Sequence, residues 1–300
     1  SSMPRRTSTR VARRTDVAPL SRRRTGYLLI LPAALWLLAF FVIPFYSLLA
    51  SSLFDPEGST LTGYEMTWHF QNYVDVISEY LPLLLKSLWW AAIATFICLV
   101  LGYVLAYAIA FKAGRWKNVM LVLVIAPFFT SFLLRTLAWK LILGDDGWVV
   151  DALRAIYLLP PDGRLLATPV AVVAGLAYNF LPFMILPLYT SLEKIDTRLH
   201  EASSDLYANP VKTFFKVTWP LSLPGVVGGT LLTFIPASGD YINAELLGGA
   251  NDQMIGNVIQ NLFTTTNDYA RAGALSVVMM AIIVVMVMFY VRKAGTEELL

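Results

Sequence analysis

Six stretches of this chain are apolar for long enough to cross a lipid bilayer. They lie near Tyr27–Leu49, Leu83–Phe111, Val119–Leu143, Pro169–Leu192, Pro224–Leu246 and Ala270–Val291. A helix crossing the hydrocarbon core needs roughly 17–25 residues. A soluble chain of 300 residues would have to bury all six helices completely. Charged residues make up only 14% of the sequence, against about 25% in an ordinary soluble domain. The expected fold is therefore all-α, a polytopic membrane protein with six transmembrane helices.

Charge gives the expected orientation. Residues 1–26 form a basic tail with Arg5, Arg6, Arg10, Arg13, Arg14, Arg22, Arg23 and Arg24 against Asp16 alone. No aromatic platform accompanies these arginines, so the tail is read as cytoplasmic, with membrane lipid and no nucleic acid as its partner. Ser21-Arg22-Arg23-Arg24 resembles the start of a twin-arginine export signal. The apolar run behind it is longer than the roughly 7–15 residues of a cleavable core, and no small-x-small site follows. It is read as an uncleaved first span. With the amino terminus inside, the tail, Lys112–Lys117, Glu193–Thr218 and the carboxyl end hold 17 of the 23 lysines and arginines. Cytoplasmic loops carry such an excess. Both termini are expected to be cytoplasmic.

Two outer loops have structure of their own. In Asp55–Tyr80, the run Trp68, Phe70, Tyr73, Val76 and Ile77 is expected to form a short helix resting at the headgroups, or else a docking surface for an external partner. Arg135–Thr168, with Trp139, Trp148 and Pro160-Pro161, is expected to fold partly back on the membrane. Prolines 32, 44, 127, 182, 187 and 236 interrupt the spans. Each removes a helix hydrogen bond and kinks its helix. Gly102, Ala106 and Ala110, and Gly225, Gly228 and Gly229, permit close helix contact. Kinked, tightly packed helices suit a transporter, although packing alone explains the glycines as well.

The chain offers little bond-making chemistry. Cys98 lies within an apolar run and reads as a packing residue. His69 and His200 lack partners at ligand spacing and read as ordinary loop residues. A G-x-x-x-x-G-K-[ST] phosphate loop is absent from the sequence. No catalytic, metal or cofactor site is assigned to this chain, so the energy for transport must come from a partner or an ion gradient.

A polar island separates the fourth and fifth apolar runs. Asp196 to Leu206 is compatible with a helix, with Asp196 or Thr197 as cap. Leu199, Ala202, Ser203 and Leu206 share one face. Asn209-Pro210 restarts a helix with Asn209 as cap and Pro210 in its first turn. Trp219-Pro220 and Pro224-Gly225 are expected to close the loop before the fifth span. The result is a hairpin of two short helices standing off the membrane. It is either a self-packed elbow or a lever gripping a soluble partner through Glu201 and Ala202.

The run Glu201-Ala202-Ser203-x-x-Leu206-x-Ala208, followed by Phe214, Val217, Pro220 and Pro224-Gly225, resembles the EAA loop of binding-protein-dependent ABC-importer permeases. Pro127-Phe128-Phe129-Thr130-Ser131, Arg135-Thr136, Ala138-Trp139, Gly144-Asp145-Asp146-Gly147, Leu247-Gly248-Gly249 and Ile255-Gly256-Asn257-Val258-Ile259 are similar to the spermidine/putrescine branch. The resemblance runs from about Gly26 to the carboxyl end. It implies a type I permease domain over residues 27–300, with 193–223 as the cytoplasmic coupling loop. Glu201, Ala202, Ser203, Leu206, Tyr207 and Ala208 would form the ATPase contact. It also implies a second homologous permease, two ATPase subunits holding ATP and magnesium, an external substrate-binding protein and a bacterial cytoplasmic membrane. Two positions depart from the family pattern. Ser203 stands where alanine is usual. Tyr207 stands where glycine is usual, which puts the turn geometry in question.

Charges at membrane depth are candidates for a substrate path, because each is costly there. Asp240 and Glu245, expected late in the fifth span with Tyr241 between them, would suit a cation; the alternative places both acids in water at the outer interface. Arg135 is expected to snorkel outward with Lys140, or else to pair with an acid at a gate. Trp139, Tyr178 and Asn179 are further lining candidates. The expected function is an ATP-driven polyamine importer's permease subunit working by alternating access. An ABC-importer permease for another small solute, and a secondary transporter or channel, are the alternatives.

Overall fold

The computed structural model describes residues 30–58 and 62–294; the basic tail lies outside them. The described residues are helical, apart from loops and one isolated bridge between Phe54 and Met66. The chain divides into two compact units, residues 1–48 and 49–300. Most of the first apolar helix, α1 (Ile30–Ser51), lies in the first unit. It carries a π-helical stretch at Leu38–Val42.

In the second unit, α2 runs unbroken over Gln71–Phe111, with Pro82 inside it. This corrects the expected interfacial helix: Tyr73, Val76 and Ile77 are the first turns of the second span. Val76 is fully buried, with Leu84, Leu275 and Ile255. Asn72 explains why the chain enters the helix here, since its Nδ2 donates to Ser52 O and Phe54 O and ties the preceding loop to the first turn.

The third apolar segment is not one straight span. Gly114–Phe129, whose α-helical part is α3 (Lys117–Ile125), and α4 (Phe132–Ile142) meet at 96°. Pro127 sits in a 3-10 turn, and Thr130 and Ser131 are extended, with ψ of 141° and 139°. Two consecutive extended residues cannot continue a helix, so the axis turns. There are five helices long and apolar enough to cross a membrane among the described residues, or six if this bent pair counts as one span. The stretch beyond holds α5 (Trp148–Ala155).

The core is built by α2, α6 (Pro169–Glu193) and α8 (Pro210–Ser238). Close approach is essential at Gly225. A Cβ there would lie 2.6 Å from both Pro187 O and Ser191 Oγ, too near for any side chain. The kink residue of one helix therefore faces a bare backbone on the other. Cys98 is buried and donates from Sγ to Ala177 O at 3.1 Å.

The fifth span departs from expectation at both ends. α8 begins at Pro210 and passes through Pro220 and Pro224 without a loop, by way of a π-helical stretch at Phe214–Thr218. It ends at Ser238 rather than near Leu246. Beyond it lie α9 (Ile242–Leu247) and α10 (Ile255–Thr264), then α11 (Tyr269–Lys293), which packs on α2. Before α8 lies α7 (Thr197–Asp205).

Candidate functional site

The 29 residues of α8 span about 43 Å at 1.5 Å per residue. One end carries the α7 hairpin and the other a buried polar centre.

The hairpin forms because both of its helices are capped by their own side chains. Asp196 Oδ1 accepts from Arg198 N at 2.9 Å, and Asn209 Oδ1 accepts from Lys212 N at 2.7 Å. α7 closes with Ala208 N donating to Ser203 O and Tyr207 N to Ser204 O. That pair of bonds is the Schellman pattern, whose C′ residue takes the left-handed conformation. Tyr207 is that residue, with φ at +56°. The turn is thus made by a tyrosine in the left-handed region that glycine favours.

The polar side of α7 faces the protein. His200 Nε2 and Thr218 Oγ1 share a 3.0 Å hydrogen bond, and the imidazole meets the Phe111 ring edge-on at 5.1 Å. Ser203 Oγ and Thr213 Oγ1 lie 2.7 Å apart, so the departure from alanine adds a tie. Behind them Phe214 and Trp219 pack on Tyr103, whose hydroxyl bonds Ser222 Oγ at 2.8 Å. Nearby, Lys117 pairs with Glu193. No residue of α7 is buried. Glu201 and Ala202 are exposed, Leu206 is 81% exposed and Tyr207 99%. Of the face read as Leu199, Ala202, Ser203 and Leu206, three residues are open and Ser203 instead turns to Thr213; Glu201 has no ion pair among the described residues. His200 is therefore no ordinary loop residue: it joins the hairpin to the ends of α2 and α8.

At the far end of α8, Asp240 occupies the break before α9 and is 9% exposed. Its Oδ2 accepts from Asn243 N at 2.8 Å and Asn243 Nδ2 at 3.1 Å. Asn243 Oδ1 accepts from Asn179 Nδ2 at 3.0 Å, which also donates to Thr136 Oγ1 at 3.1 Å. All four side chains are buried. The network joins α4, α6 and α9 beside the end of α8. It corrects the reading in which Asp240 simply meets water. Asn257 Nδ2 donates to Tyr241 O and to Glu245 Oε2, binding α10 to α9. Gly256 is required for that approach, because a Cβ would lie 2.5 Å from Gly239 O and 3.0 Å from Asp240 O.

The path candidates do not form one cluster. Trp139 and Tyr178 lie together, with ring centroids 5.2 Å apart, but they line an apolar groove of about 610 Å³ with Trp90, Ile97 and Leu181 and no charged side chain. Arg135 does not snorkel. It is 8% exposed, its guanidinium lies 5.6 Å from the Phe128 and Phe132 rings, and its Nε and Nη1 have no hydrogen-bond partner among the described residues. The bend between α3 and α4 turns it inward. No ion pair joins it to an acid among the described residues. Thr136 and Asn257 entered the sequence reading only as parts of motifs, and Asn243 and Thr218 had no role in it, since uncharged polar residues in apolar runs carry no local signal of their partners.

Comparison with known proteins places residues 98–294 in the family described as binding-protein-dependent transport system inner membrane component. The spermidine/putrescine transport system permease protein PotB of Haemophilus influenzae is 37% identical over 258 residues, covering 86% of this chain and 90% of that protein. PotB of Escherichia coli K12 is 35% identical over 260 residues, covering 86% and 94%. Among solved structures, a bacterial ABC transporter involved in import of the acidic polysaccharide alginate superposes with a TM-score of 0.72 at 16% identity, covering 93% of this chain and 98% of that one. The methionine ABC transporter MetNI, in an inward-facing conformation, gives 0.53 at 18% identity, covering 72% and 95%. These two likenesses concern the fold.

Proposed function

The chain belongs to the family of binding-protein-dependent transport system inner membrane components, and from that premise we propose that it is the permease subunit of an ATP-driven polyamine importer. It is a multi-pass inner-membrane permease with the fold of ABC-importer permeases. Spermidine or putrescine is the cargo in this reading, supported by the likeness to the PotB permeases over 86% of the chain. The observation that carries the mechanical part is the course of α8, one helix with an open acidic hairpin at one end and a buried carboxylate at the other.

In this assembly the chain pairs with a second homologous permease. Two ATPase subunits hold ATP and magnesium, and an external binding protein delivers the cargo. One alginate transporter structure was solved with its substrate-bound periplasmic protein, a precedent for that last partner. The hairpin and both termini face the cytoplasm. ATPase closure presses on the open face of α7. His200 and Ser203 pass the displacement to α2 and α8, and the α8 end shifts relative to the Asp240 network. Access to the central path then passes from one membrane face to the other. The chain makes and breaks no bonds itself and needs no cofactor of its own. Trp139, Tyr178 and Tyr241 offer aromatic faces to ammonium groups.

A second reading, an anionic cargo, is favoured by Arg135, a buried cation with free N–H groups. One assay separates the two. The chain is reconstituted in proteoliposomes with its sister permease, ATPases and binding protein. ATP-dependent uptake of radiolabelled spermidine or putrescine supports the polyamine reading. No uptake of either by an assembly that hydrolyses ATP refutes it.

A further inference from the structure

Where α2 ends, α7 and the start of α8 help to enclose a cavity of about 370 Å³. Part of its lining is aromatic. Tyr107 and Phe111 of α2 lie one turn apart with ring centroids 4.9 Å from each other, and Phe214 of α8 meets the Tyr107 ring edge-on at 6.4 Å. Another part is polar, with Lys112 beside His200 and Ser204 of α7. The volume lies at the small end of ligand pockets, roughly 300–1,000 Å³.

The polar part favours an anion. The Lys112 ammonium makes no hydrogen bond and no ion pair among the described residues. His200 Nε2 is committed to Thr218 Oγ1, which leaves Nδ1 for another partner. No aspartate or glutamate lines the cavity. An uncommitted ammonium without a neighbouring carboxylate suits a phosphate, whereas a cation would meet Lys112 with no balancing acid. The level in the membrane selects the kind of phosphate. α2 carries no charged residue between Lys86 and Lys112, a run of the length that crosses the hydrocarbon core. Lys112 therefore stands where the headgroups begin. The first turns of α8 leave Val211, Phe215 and Leu221 exposed together with Lys212 and Lys216, the mixture that helices carry at a membrane surface. A soluble phosphate would gain nothing from the three rings; the glycerol and upper acyl carbons of a lipid would bury against them.

We propose that this cavity is a binding site for the phosphate headgroup of an anionic phospholipid, with Lys112 as its charge partner. The site does not depend on which cargo is carried. A lipid seated there touches the end of α2, the α7 helix and the start of α8 at once. His200 already ties the same three elements together, so the lipid is a second tie. Anionic lipid in the facing leaflet then favours the docked hairpin.

The test uses the complete assembly in nanodiscs with the variant Ser204→Cys, whose new thiol lines the cavity; the native Cys98 is buried. Labelling by an uncharged maleimide is followed in phosphatidylcholine alone, in phosphatidylcholine with phosphatidylglycerol, and in phosphatidylcholine with millimolar inorganic phosphate. Phosphatidylglycerol is expected to slow labelling about ten-fold, and Lys112→Gln to remove most of that protection, as loss of a charged hydrogen-bond partner implies. Lys112→Arg should retain it. Lys194→Gln, which removes the same charge from an exposed lysine outside the cavity, should leave it unaltered. Phosphatidylglycerol retained through purification, counted by native mass spectrometry, should fall in Lys112→Gln and not in Lys194→Gln. Equal labelling in neutral and anionic nanodiscs, protection that survives Lys112→Gln, or equal lipid counts in the two glutamine variants overturns the site. Protection by inorganic phosphate as strong as that by phosphatidylglycerol overturns the lipid and assigns the cavity to a free phosphate.

Discussion

Replacing His200 with alanine should separate ATP hydrolysis from transport. The imidazole makes one hydrogen bond to Thr218 Oγ1 at 3.0 Å and one edge-on ring contact with Phe111 at 5.1 Å. Thr218 is 1% exposed, so His200→Ala leaves a buried hydroxyl without its partner. Such an orphan costs about 1–3 kcal/mol, and the ring contact adds about 0.5–1.5 kcal/mol. A combined loss of about 1.5–4.5 kcal/mol shifts the balance between docked and undocked hairpin by about ten-fold at the least. The open face of α7 is untouched, so the ATPases should still bind. Spermidine uptake and phosphate release are measured in the same proteoliposomes. Uptake per ATP should fall several-fold while hydrolysis persists. His200→Gln, which can still reach Thr218, should recover part of the ratio. Thr218→Val removes the orphaned hydroxyl, so the double variant should be less impaired than the two single losses added together. A His200→Ala assembly with an unchanged uptake-to-hydrolysis ratio would refute the transmission role.

Three further outcomes follow from the same geometry. Tyr207→Gly relieves a left-handed backbone that costs a non-glycine residue about 1–2 kcal/mol, offset in part by glycine's greater chain entropy; amide exchange at residues 206–208 should slow. Gly225→Ala drives a Cβ to within 2.6 Å of Pro187 O and should destabilise the α6–α8 contact by about 1–3 kcal/mol, read as a lower thermal midpoint of the purified assembly. Asp240→Asn keeps an acceptor for Asn243 while removing the charge, so assembly yield should hold and polyamine uptake should drop by about ten-fold or more; unchanged uptake removes the acid from the path.

The spans and the hairpin were legible in the sequence because their signals are local. Long apolar runs mark bilayer helices, and Asp196 and Asn209 mark caps whose partners lie two or three residues away. The errors arose where tertiary contact overrides a local rule. Pro220 and Pro224 read as loop closers, yet a π-helical stretch immediately ahead lets α8 run through them. Arg135 read as a snorkelling cation, yet extended Thr130 and Ser131 redirect its helix and bury it between two phenylalanines. Asn179 and Asn243 lie 64 positions apart and meet only because α6 and α9 pack together. Asp240 and Asn179 could each be singled out in the sequence; Asn243, which links them, could not.

In the proposed mechanism, displacement enters through the open face of α7. A cysteine at Glu201, tested by thiol crosslinking in the complete assembly, examines it directly. Efficient capture of an ATPase subunit by Glu201→Cys is predicted. An assembly that transports polyamine while Glu201→Cys captures no ATPase would contradict it.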